Sequence, residues 1–314
     1  MAGADTVSDD GSPGCLMPSG VGVRSGEWRV AVTYYTDPLC SWSWALEPQW
    51  RRLRYEFGDQ LTWRYRMGGM IADWHSFNDP LNSVSKPVQM GPNWFQVRVV
   101  SGMPINERLW HEDPPDSSYP ACLAFKAAEQ QGPTVAERYL RRLREAVMLE
   151  RRNIARRDVL LALAAECAGA DAGEGGLDYA RFTRDLAEPQ TLDAFRDDLK
   201  DVRYHAIGRF PSLILQQRDG TGVIIVGYRP YPMMREALAH LAPALVPART
   251  ATDIAAYVSA WGSLTAREVA EAFDWDTATA ERALNEAATR GEISRVMPPM
   301  ATAACYRAAD NRER

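Results

Sequence analysis

Of the five cysteines in this 314-residue chain, Cys40 is the one whose position points to chemistry. It follows WRVAVTYY (Trp28 to Tyr35), an alternating run rich in β-formers, and the short turn TDPLC. After it comes SWSWALEPQWRRLRYEFG, whose apolar and aromatic residues recur at helical spacing as far as Gly58. A thiol at a strand-to-helix turn faces the unpaired amides of the helix start. Their partial positive charge favours thiolate over thiol, and thiolate is the nucleophile in disulfide exchange. Trp42 and Trp44 flank Cys40 and are expected to offer apolar surface to a docking substrate. The plain alternative is a buried structural cysteine.

Two prolines add to the pattern. Pro48 falls inside the predicted helix, eight residues after Cys40, where a proline normally costs about 3 kcal/mol. Phe210-Pro211 opens the run SLIL, and a proline at a strand start points to an edge strand and to an X-Pro bond open to the cis isomer. The other cysteines carry less. Cys15 lies near the N-terminus, Cys122 at a helix start where a resolving thiol is one reading and a small buried hydrophobe the commoner one, Cys167 in an apolar helix, and Cys305 near the C-terminus. No CxxC pair occurs, which excludes a disulfide scaffold and a zinc site and fits a reducing compartment. His75, His111, His205 and His240 have no metal spacing, and Asp37 reads as a turn residue. Arg138, Arg141, Arg142, Arg144, Arg151, Arg152, Arg156 and Arg157 are interleaved with Glu137, Glu145 and Glu150, which predicts a salt-bridged solvent face.

The elements that must position Cys40 follow from periodicity. Leu61 to Met67 is a second strand, completing a strand–helix–strand unit. From Ile71 to about Arg203 the pattern is helical with breaks, including helices from near Pro120, Thr134 to Met148, Arg156 to Ala168, and Leu192 to Val202. Strands return at Ser212 to Gln217 and Gly222 to Val226, joined by the turn signal RDGT, and a helix follows from about Pro232 to Leu241. After the linker Ala242 to Thr250, the last sixty-odd residues read as helix, turn, helix and hairpin, which suggests a winged-helix-like module. The expected division is therefore a disordered tail over 1–27, a thioredoxin-type unit over 28–75 and 203–247, an inserted helical unit over 76–202, and a winged-helix-like unit over 248–314.

Composition narrows the function classes. A net charge of −5 argues against general nucleic-acid or acidic-membrane binding, and the candidate recognition helix offers only Arg282 and Arg290 against Glu281 and Glu286. That module is read as a protein contact. No apolar run approaches the ~18 residues that span a bilayer. The N-terminal residues lack the basic-then-apolar order of a signal peptide, so a cytoplasmic protein is expected.

The segments DPLCSWSWALEP, GGM (Gly68 to Met70), SYPACLAFKAA and GRFPSLIL together resemble DsbA-like thioredoxin-superfamily proteins. The resemblance is strongest to the cytoplasmic dithiol-disulfide isomerase-like type, whose motif runs close to DPMCSWCWGF followed by GGL. It covers roughly Trp28 to Pro243 and implies an α/β thioredoxin fold with a helical insertion. It also implies Cys40 as nucleophile, Pro48 as the helix kink, and Pro211 as a cis-proline facing the thiol. Phe210 and Trp42 would then line the substrate site with Trp44.

The chain departs from that family at one decisive position. Ser43 stands where the family has its second cysteine. It cannot release a mixed disulfide, although its hydroxyl can donate a hydrogen bond to the Cys40 thiolate. A redox cycle here must be monothiol, with an external thiol such as glutathione or mycothiol as co-substrate and no bound cofactor or metal. The first expectation is thus a monothiol thiol-disulfide oxidoreductase or isomerase acting on protein or small-molecule disulfides. The alternative is a non-enzymatic adaptor that keeps the groove as a docking surface, as in DsbA-type relatives that present clients to ClpXP protease. A kappa-class glutathione transferase-like isomerase is the third reading, and retention of Cys40 weighs against it.

Overall fold

β-Branched and aromatic residues build the central sheet of the computed structural model, which describes residues 29–80, 82–168 and 176–309. The expected tail, Cys15, Trp28 and most of the loop from Ala168 to Gly176 lie outside the described residues. Strand β1 (Val30–Thr36) pairs in parallel with β2 (Leu61–Met67), as a strand–helix–strand crossover requires. On its other side it pairs antiparallel with β3 (Ser212–Gln217), which carries β4 (Gly222–Val226). The order is β2-β1-β3-β4. β3 is therefore interior, and the expectation that Pro211 marks an edge strand is corrected: Pro211 precedes the strand, so no ladder donor is lost there.

The crossover after β1 is kinked. Helix α1 (Ser41–Ala45) and helix α2 (Glu47–Phe57) meet at Leu46, where Leu46 N–H still donates to Trp42 O at 3.1 Å and Trp50 N–H to Leu46 O at 2.9 Å, so the joint is a kink beside Pro48. Pro48 has no N–H to continue the ladder of α1, and it sits in the first turn of α2, where that donor is not needed. Trp50, Leu53 and Phe57 of α2, with Met234, Leu238 and Leu241 from the helix that follows β4, cover one sheet face. Val30, Val32, Tyr34, Leu213 and Leu215 are the alternate strand residues that meet them.

Between β2 and β3 the described residues form seven α-helices: α3 (Met90–Ser101), α4 (Leu109–Glu112), α5 (Tyr119–Glu129), α6 (Pro133–Met148), α7 (Arg157–Ala168), α8 (Tyr179–Asp185) and α9 (Pro189–Tyr204). They build a second core around Trp94, Trp110, Tyr139 and Leu143, and that core also takes in Trp44. After β4, α10 (Tyr231–Leu241) returns to the sheet. The segment read as a linker is tied to α2 and its end: Ala248 N–H donates to Glu56 O at 2.8 Å and Gln60 Nε2 to Val246 O at 2.7 Å.

The C-terminal part comprises α11 (Ile254–Trp261), β5 (Leu264–Thr265), α12 (Ala266–Phe273), α13 (Thr277–Thr289), β6 (Ile293–Val296) and β7 (Cys305–Ala308). Its strands run in the order β5-β7-β6, and Tyr257, Val258, Leu284 and Tyr306 anchor a core of its own. It is fastened to the rest by Glu268, which is fully buried. Arg141 grips both oxygens of Glu268 at 2.9 and 3.0 Å, and Arg51 lies 3.4 Å away.

Candidate thiol site

Cys40 caps the start of α1, with its own amide donating to Asp37 O at 3.1 Å and its carbonyl accepting from Ser43 N at 3.1 Å. Its thiol donates to the Phe210 carbonyl at 3.6 Å, and the Phe210–Pro211 peptide is cis. The chain thus brings Cys40, Ser43, Phe210 and Pro211 to one end of the sheet, where β1 and β3 are neighbours.

Two glycines make that approach possible. A Cβ on Gly68 would sit 2.1 Å from the Phe210 ring, so the ring lies against the bare backbone of Gly68. Gly69 has φ +58, and a Cβ there would meet Tyr119 at 2.8 Å and Leu199 at 2.9 Å. The GGM segment is thus the floor on which the proline loop rests.

Asp37 ties the site to its support. Its Oδ1 accepts from Leu39 N at 2.9 Å, closing the turn before Cys40. Its Oδ2 accepts from Met70 N at 2.7 Å, Ser118 Oγ at 2.8 Å and Cys122 Sγ at 3.5 Å. Three segments far apart in sequence converge on this one buried carboxyl. Burial raises its pKa, while these four hydrogen bonds act to lower it. Asp37 is more than the turn residue the sequence suggested, and Cys122 is a buried donor to it. Burial pushes the Cys122 thiol well above the ordinary range, with the Asp37 charge adding to the rise.

The expected activation of Cys40 needs correction. The thiol is only 4% exposed, and burial raises its pKa from the ordinary value of 9.0. Hydrogen bonding from Ser43 and the charge of Arg144 act to lower it, and they do not overcome desolvation. A five-residue helix carries little of the dipole that the expectation relied on. Ser43 Oγ is itself fully buried and has no hydrogen-bond partner of ordinary geometry among the described residues.

The two tryptophans separate. Trp42 is half-buried, with its ring 5.6 Å from that of Tyr228. Trp44 is fully buried, donates from Nε1 to Pro104 O at 2.9 Å and lies under Arg141, so it offers no surface to a substrate. Residues two apart in a helix point to opposite sides, which is why one faces out and the other in.

The arginine-rich stretch is salt-bridged as expected, yet part of it faces inward. Arg144 is 1% exposed, pairs with Glu47 and donates to Thr36 Oγ1 at 2.5 Å. Glu47 also meets Arg51 at 3.2 Å and Arg141 at 3.5 Å. Sequence reading missed this array beneath Cys40. Its signal was a lone acid, Glu47, beside the helix-breaking Pro48. Among the described residues no group of three His, Cys, Asp or Glu side chains could hold a metal ion, and no helix is long and apolar enough to cross a membrane.

Comparison with known proteins places this geometry. Residues 34–236 match the family model described as thioredoxin. The ClpXP adapter protein SpxH of Halalkalibacterium halodurans is 26% identical over 286 residues, spanning 90% of this chain and 91% of that protein. SpxH of Bacillus subtilis is 24% identical, spanning 85% and 86%. Among solved structures, the cytosolic disulfide reductase DsbM from Pseudomonas aeruginosa superposes with a TM-score of 0.51 at 25% identity, covering 68% of this chain and 100% of that one. A putative protein disulfide isomerase from Nitrosomonas europaea gives 0.55 at 21% identity, covering 68% and 97%. The last two share the DsbA-like thioredoxin fold.

Proposed function

This chain belongs to the thioredoxin family, and we propose that it works as a non-enzymatic adaptor, its groove docking a protein client for delivery to a ClpXP-type protease. The observation that carries this reading is the extent of the likeness. The two SpxH proteins match 90% and 85% of the chain, whereas DsbM matches 68%. The thiol site agrees in kind. Cys40 is buried, and that burial raises its pKa, Ser43 cannot resolve a mixed disulfide, and Cys122 is engaged with Asp37. Docking needs only the half-buried surface of Phe210 and Trp42 beside the buried Pro211 and asks no chemistry of it. The C-terminal part, fastened through Glu268, would offer a second protein-contact surface. The test is protein turnover in cells of the source organism. Deleting the chain should lengthen the half-life of a defined set of proteins, and an unchanged set would end the adaptor reading.

A second reading is favoured by one contact, the Cys40 thiol directed at the carbonyl before Pro211, and by the likeness to DsbM. In it the Cys40 thiolate attacks a disulfide and forms a mixed disulfide as one substrate sulfur leaves as thiolate; one external thiol such as glutathione then displaces the second substrate sulfur and remains bonded to Cys40, and a second external thiol frees Cys40, the two leaving as their own disulfide. Insulin reduction with added monothiol tests this. Turnover that disappears in Cys40→Ser would support it.

A further inference from the structure

Among the described residues the sheet ends on β4, with one side of that strand unpaired. The strand reads GVIIV, with no charge and no proline, the usual guards of a natural edge. Its ladder with β3 shows which backbone groups are free. Gly227 N–H donates to Pro211 O and Gln217 N–H to Thr221 O, each at 2.8 Å, so residues 221 and 227 bond toward β3. Alternation along an antiparallel pair then turns the N–H and C=O groups of Gly222, Ile224 and Val226 toward the open edge. The side chains of Ile224 and Val226 are 47% and 39% exposed. Ile224 stands opposite Ile214, which stands opposite Thr33, so the three share one row on one sheet face.

We propose that a second copy of this chain docks on this edge, β4 against β4, antiparallel about a two-fold axis at Ile224. The free groups are in the right phase for it. Pairs 222–226, 224–224 and 226–222 each exchange two bonds, about six in all. The row of Thr33, Ile214 and Ile224 continues through its own image, so four isoleucines line up across the seam. Charge matches as well. Antiparallel pairing sets the start of one strand beside the end of the other. Asp219, in the turn before β4, and Arg229, just beyond it, are both exposed and form no ion pair among the described residues. Across the seam each Asp219 lies beside the partner's Arg229. This self-complementarity is what favours a second copy over an extended client segment. A seam of five residues per copy is small beside the ~1,600 Å² of a standard interface, so the dimer forms and dissociates with concentration. The inference does not depend on the adaptor reading.

Sedimentation velocity of the full chain, from low to high micromolar, reads the outcome. The wild type should shift from monomer to dimer, and Ile224→Lys should stay monomeric with an unchanged melting temperature. Should Ile224→Lys disturb folding, Val226→Lys serves in its place. Asp219→Arg should weaken the dimer about tenfold at low salt, and adding Arg229→Asp should restore it. A wild type monomeric throughout, or a dimer that survives both lysine variants, overturns the proposal.

Discussion

At the scale of single residues, Cys40 shows desolvation winning against hydrogen bonding. Ser43 and Arg144 pull its pKa down, and burial pushes it up further. Alkylation by iodoacetamide should therefore be slower at pH 7 than for an exposed cysteine, and its rate should keep rising beyond pH 9. Cys122 should react more slowly still, its thiol being fully buried and bonded to Asp37. A Cys40 rate that levels off below pH 8 would contradict this. Ser43→Cys restores the family's pair, and that dithiol should close to a disulfide on mild oxidation, read by loss of two free thiols. The position of Cys40 was legible from the strand and helix around it, but its burial was not. Its environment is made by Phe210, 170 residues away, and by an arginine from α6. Trp44 is different: its separation from Trp42 was readable from helical geometry alone.

At the scale of elements, the kink between α1 and α2 and the GGM floor are local features with global partners. Gly68→Ala places a methyl group into the Phe210 ring and should cost about 1–3 kcal/mol, read as a lower melting temperature. An unchanged melting temperature would mean that the proline loop moves aside freely. The Glu47 array sets a pH limit. Arg144, Arg51 and Arg141 hold the Glu47 carboxyl below its ordinary value of 4.5 against the opposing effect of burial. A depressed folded pKa adds stability that is present above the unfolded value and is lost as pH falls through the folded one. Thermal stability should therefore drop as pH is lowered below about 4.5, and Glu47→Gln should flatten that slope. The strands and the longer helices could be read from periodicity. The inward turn of Arg141 and Arg144 could not, because a buried arginine and a solvent-facing one have the same sequence pattern when their partners lie on other elements.

At the scale of the whole molecule, a thioredoxin core, a helical insertion and a C-terminal part are held as one by Glu268. Glu268→Ala leaves Arg141 and Arg51 partly unpaired in the interior and should cost about 3–5 kcal/mol, seen as earlier unfolding in denaturant. Exchange chemistry and docking alone differ in their dependence on the Cys40 sulfur. In cells lacking the chain, a copy carrying Cys40→Ser should restore the turnover of every protein whose half-life the deletion lengthened. If Cys40→Ser behaves as the deletion does, the thiol is required and the adaptor account is wrong.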